Sequence, residues 1–193
     1  MREHFYGKPL VLGLLFGVLS GLGALVISIL PVPGVILGML AMSIIFALFA
    51  LAYFYCIAKN SLHLWKSLLW VVACSPSFYL AFKTAESLEA NLDPRGASLP
   101  LLFLTISIGG FVGGAVVALA FHFFIARITW RQWCLVLGGA TIAALYFYVP
   151  AAFNVPLFIV WQTTVMLSLG YALWYNTHKK GAEISAHIED PRA

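Results

Sequence analysis

The chain has 193 residues, 62% of them hydrophobic and 9% charged, with a mean hydropathy of +0.96. Soluble domains are roughly 45–50% apolar and about 25% charged, so this composition excludes a water-soluble globular domain: the polar surface needed to cover one is missing. The net charge of +4 sits in short connectors rather than on one folded face, which points to topology determinants beside anionic lipid and excludes nucleic acid as a partner.

Apolar runs of roughly 20 residues, long enough to cross a bilayer, recur along the whole sequence. The first covers 9–30, after Arg2 and Lys8. It has the outline of a secretory signal, but the run exceeds the roughly 7–15 residues of a signal core and no small-x-small cleavage site precedes the turn, so a retained span is expected. Gly13, Gly17 and Gly21 recur every fourth residue, with Ser20 and Ala24 on a neighbouring stripe. Pro31-Val32-Pro33-Gly34 cannot continue a helix and sets a tight reversal.

The second span, 34–58, carries Gly34, Gly38, Ser43 and Ala47. The third, 64–82, contains Pro76 between Ser75 and Ser77. This proline should interrupt the helix and free a carbonyl near Val72 for nearby hydroxyls. A loop over 83–98 follows, with Lys83, Arg95, Glu86, Glu89 and Asp93. The fourth span, 99–126, holds Thr105, Ser107, the run Gly109-Gly110-Phe111-Val112-Gly113-Gly114, and His122 near its end. A fifth span over 133–149 and a sixth over 156–175 are separated by a connector between Pro150 and Pro156. The polar tail, 177–193, is expected to be solvated and irregular.

The fold expected is therefore all-α, a polytopic bundle of six spans with both termini inside. With the N-terminus cytoplasmic, Arg2, Lys8, Lys59, Lys66, Arg127, Arg131, Lys179, Lys180 and Arg192 fall inside, and only Lys83 and Arg95 of the eleven Lys and Arg fall outside. That split is the positive-inside pattern. Trp65, Trp130, Trp133, Trp174 and Tyr175 stand at span ends as interfacial anchors. Compactness and charge bias favour a bacterial cytoplasmic membrane.

Between helices in lipid, close approach depends on small residues. Gly13, Gly17, Gly21, Gly109, Gly110, Gly113 and Gly114 are the candidate packing residues, facing either the bundle interior or a groove for a membrane partner or second copy. A second feature is a layer of polar side chains. Ser75 and Ser77, Thr105 and Ser107, and Gln162, Thr163 and Thr164 all fall roughly 10 Å below the outer surface at 1.5 Å per residue. They form either interhelical hydrogen-bonding contacts or a candidate ligand pocket, with Trp161 and Tyr146 as aromatic walls.

Signals for catalysis are missing. All seven acidic residues, Glu3, Glu86, Glu89, Asp93, Glu183, Glu189 and Asp190, lie outside the spans, which disfavours ion coupling and carboxylate chemistry within the bilayer. There is no GxSxG, HExxH or P-loop. Cys56, Cys74 and Cys134 form no CxxC pair. His122 fits an interfacial histidine better than a relay or haem ligand, so no cofactor or metal is expected. Two functions remain: a subunit binding or transporting a neutral, weakly polar small molecule, like the substrate-capture subunits of vitamin uptake systems in size and topology only, and a non-catalytic accessory protein docking partner helices through its glycine faces.

Overall fold

The computed structural model describes residues 7–31, 34–58, 62–92, 99–145 and 157–189. Among these the chain forms seven helices and no strand: α1 (Lys8–Ile29), α2 (Val35–Ala58), α3 (Leu64–Cys74), α4 (Ser77–Leu92), α5 (Leu99–Phe124), α6 (Trp130–Leu145) and α7 (Leu157–Glu189). Four stretches, α1, α2, the α3–α4 pair over 64–92, and α5, are long and apolar enough to cross a membrane. Large apolar side chains cover their outer faces, Val11, Ile29, Val35, Leu64 and Val72 each being more than half exposed. Meanwhile Ser20, Ser43, Ser77, Thr105 and Gln162 are buried. Apolar outside and selected polar groups inside is the arrangement of a membrane-embedded protein.

Local chemistry sets the helix ends. Proline in the first turn of α1 suits a position whose N–H has no helical partner. Gly34 takes φ +89° just before α2, a left-handed conformation that glycine adopts without a Cβ penalty. The turn centre at 32–33, the connector 150–155 and Tyr146 lie outside the described residues.

Three boundaries differ from the sequence expectation. The helical stretch beginning at Leu64 runs to Leu92 rather than ending at Phe82. Residues 83–92 are mostly good helix formers, and Lys83 pairs with Glu86 at 2.6 Å one turn on. Helix α6 starts at Trp130, not Trp133, because Thr129-Trp130-Arg131-Gln132 is half of a capping box: the Gln132 Oε1 accepts the Thr129 N–H at 2.8 Å. Helix α7 continues through the expected irregular tail to Glu189, where no proline interrupts the chain before Pro191.

The most extensive helix contact is α1 against α7, and it is antiparallel in strict register. A Cβ placed on Gly13 would meet Leu167, on Gly17 the Thr163 backbone, and on Gly21 the Ile159 backbone. Each four-residue step along α1 is matched by a four-residue step back along α7. On α5 the adjacent glycine pairs serve different neighbours. Gly109 and Gly113 lie against Ala81 of α4, whereas Gly110 and Gly114 lie against Ala140 and Ala144 of α6. Consecutive residues point about 100° apart around a helix, so one Gly-Gly run opens two faces. In this arrangement all seven candidate packing glycines meet helices of their own chain.

Aromatic side chains fill the centre. Phe54 stands edge-on to Phe121 with centroids 5.2 Å apart, and packs on Trp70 at 5.5 Å. Trp161 lies between Phe46 at 6.0 Å and Phe78 at 5.1 Å. These are offset and edge geometries that aromatic quadrupoles favour.

Candidate functional site

Among the described residues, the hydrogen bonds of the polar layer expected from sequence divide between those within one helix and those between helices. Ser75 donates to the Val72 carbonyl at 2.8 Å. Pro76 removes the usual donor four residues on from that carbonyl, which accepts the Ser75 N–H at 3.2 Å as well, so the Ser75 hydroxyl adds the contact expected of it. Thr105 is buried but donates to its own helix at Leu102, 3.0 Å away. Ser107 donates to Phe103 at 2.7 Å and Thr164 to Val160 at 2.8 Å, again within their own helices.

Two contacts do cross between helices, and each recruits a serine from an element outside the expected layer. Ser43 of α2 donates to the Met39 carbonyl at 3.1 Å and accepts both the Phe78 N–H at 3.2 Å and the Ser77 hydroxyl at 3.4 Å. The restart of the helix after Pro76 leaves N–H groups without intrahelical acceptors. Ser43 supplies one from a neighbouring helix, acting as an N-cap in trans. Its position four residues before Ala47 on a small-residue stripe was visible in sequence; its acceptor role required knowing that α2 faces the break.

The second contact joins α1 to α7. The Ser20 hydroxyl donates to Gln162 Oε1, and both residues are fully buried. Gln162 Nε2 and the neighbouring Thr163 Oγ1 have no hydrogen-bond partner among the described residues. Thr163 sits directly across from Gly17. An amide N–H and a hydroxyl without partners, on consecutive residues of an apolar bundle, leave donor and acceptor capacity to spare. Trp161, the residue before, is buried in the aromatic centre between Phe46 and Phe78.

A different group of residues encloses space. An open cavity of about 510 Å³ is lined by Thr129, Trp130, Arg131, Gln132, Tyr171, Tyr175 and Asn176. It lies between the start of α6 and the middle turns of α7. Its floor is tied by hydrogen bonds. Gln132 Nε2 donates to the Ala172 carbonyl and to Asn176 Oδ1, both at 3.4 Å, and Asn176 Nδ2 donates to the Arg127 carbonyl at 2.7 Å. His122 secures the same connector: its Nδ1 accepts the Ile128 N–H at 3.2 Å, and its ring packs on Trp133. This is a structural duty near the helix end. Sequence reasoning missed the cavity, although the Thr-x-x-Gln capping pattern marked where α6 begins.

Comparison with protein-family models, with curated proteins and with solved structures returns no match to this chain.

Proposed function

We propose that this chain is a six-span protein of the bacterial cytoplasmic membrane, with both termini inside, acting as a non-catalytic subunit that binds or transports a neutral, weakly polar small molecule without ion-coupling carboxylates. In this reading α3 and α4 make one broken span, and α6 and α7 supply the fifth and sixth. The observation that carries the binding role is the pair of enclosed polar atoms, Gln162 Nε2 and Thr163 Oγ1, with no protein partner. Leaving such groups unpaired costs about 1–3 kcal/mol each, so a molecule offering a carbonyl or hydroxyl gains by pairing with them. Ser20 fixes the amide from the other side, which orients the free N–H.

The test is native mass spectrometry of the purified protein with and without Gln162→Leu, alongside uptake in cells lacking the chain. A stoichiometric small molecule lost in the variant is the expected result. An unchanged complement of bound molecules and unchanged uptake, in a variant that folds normally, refutes the reading.

A second reading, an accessory protein docking a membrane partner or a second copy, has narrower support. The glycines expected to form the docking groove are taken up within the chain, and the open space lies instead at Gly34, Gly38 and Gly138.

A further inference from the structure

The cavity between α6 and α7 has a chemistry of its own, independent of the Gln162 locus. Arg131 is exposed, and its guanidinium makes no ion pair with any described residue. The Tyr175 and Thr129 hydroxyls likewise make no hydrogen bond among the described residues, the Gln132 side chain having taken the Thr129 backbone N–H instead. A positive charge and two hydroxyls without partners among the described residues thus border one cavity, and no acidic residue lines it. The amides of Gln132 and Asn176 are spent on one another and on backbone, so the floor is held in place and does not compete for a ligand.

Such a set of donors suits a tetrahedral oxyanion. A guanidinium presents parallel N–H groups to two oxygens of a phosphate, and hydroxyls complete the remaining ones. The size of the cavity, about 510 Å³, exceeds a bare phosphate and leaves room for the group esterified to it. Trp130, 78% exposed, forms one wall and supplies an apolar flank of the kind that lies at the level of lipid headgroups. Antiparallel packing also brings Lys8, Lys66 and Arg127 to this end of the bundle, while Lys83 lies at the other. An anion approaching this end meets an attractive field.

We infer that the cavity bordered by Arg131, Tyr175 and Thr129 is a binding site for a phosphate ester, carried by either a membrane lipid headgroup or a soluble phosphorylated molecule. Arg131 provides the charge, and the two hydroxyls select for a group with several acceptor oxygens. Gln132 and Asn176 are positioning residues.

The full-length chain, delipidated in a neutral detergent, is titrated with phosphatidylglycerol, diacylglycerol, glycerol phosphate and glycerol, each followed by native mass spectrometry and thermal shift. The expected result is saturable one-to-one binding that requires the phosphate. Arg131→Gln weakens it about tenfold or more, the loss of one charge-assisted contact. Tyr175→Phe, which removes only a hydroxyl at an exposed position, weakens it a few-fold and serves as the second probe should Arg131→Gln fold poorly. Lys8→Gln, a cation at the same end outside the cavity, weakens it far less than Arg131→Gln does, because it acts only through the screened long-range field. Saturation by phosphatidylglycerol alone assigns a lipid source, and saturation by glycerol phosphate as well assigns a soluble one. Equal binding of the phosphate-free compounds overturns the inference, as does equal weakening by Lys8→Gln and Arg131→Gln. So does a Tyr175→Phe variant that binds like the parent while Arg131→Gln also binds like the parent.

Discussion

Single side chains decide how closely the helices approach. At Gly17 the nearest obstacle to a Cβ is the Thr163 backbone at 2.6 Å, and at Gly21 the Ile159 backbone at 2.4 Å. Backbone cannot rotate aside as a side-chain tip can, so these two positions tolerate nothing larger. Gly38 has open space beyond it. We expect Gly17→Leu to destabilise the protein by about 1–3 kcal/mol or more through overpacking. Gly38→Leu should be neutral or slightly stabilising, since glycine is a poor helix former. Denaturation in mixed micelles compares the two, and equal destabilisation would contradict the assigned register. Ser43 matters for a different reason: its single oxygen serves the start of α4. Ser43→Ala should cost about 1 kcal/mol, the usual loss of a helix cap, in the same measurement.

At the scale of the element, the break between α3 and α4 is the most informative feature. Pro76 withdraws an N–H from the Val72 carbonyl, Ser75 answers with its hydroxyl, and Ser43 answers at the far side of the break. These are consequences of one residue, so their energies are coupled. Ser75→Ala should cost about 0.5–1.5 kcal/mol in the natural background and close to nothing beside Pro76→Ala, where the restored N–H serves Val72 instead. A double-mutant cycle measures this directly, and additive effects would separate the serine from the proline. His122 illustrates an element end held by a ring nitrogen. As an acceptor from the Ile128 N–H, Nδ1 must be unprotonated, and Asn is the replacement that retains an acceptor there while Phe does not.

For the whole molecule, the antiparallel order of helices collects the described cations Lys8, Lys66, Arg127 and Arg131 at one end and leaves Lys83 at the other. If the first end is cytoplasmic, as the positive-inside rule requires, a cysteine placed at Lys83 in a variant lacking the natural thiols is labelled from outside intact cells. One placed at Lys66 is labelled only after the membrane is opened. The reverse pattern would invert the orientation. The lipid-facing surface contributes to stability through dispersion and lipid contacts rather than through removal from water, which leaves glycine register and the few polar contacts to specify which helix meets which.

Much of this was legible in one dimension. Hydropathy depends only on composition along the chain, so the four long apolar stretches and the break at Pro76 follow from sequence with no knowledge of neighbours. The four-residue glycine spacing likewise marks a close-packing face, because periodicity along a helix is a local property. Which partner fills each face is not local. Ser20 meets Gln162, and Ser43 meets the start of α4, through contacts 142 and 35 residues apart in sequence. Depth within the bilayer placed the expected polar residues at one level but said nothing of azimuth around each helix, so residues of equal depth were grouped that in fact point in different directions. The cavity of Arg131 and Tyr175 depended further on how the start of α6 sits against α7. Only tertiary packing sets rotation and register between helices, because they minimise contact energy over pairs of surfaces, and no single stretch of chain contains both.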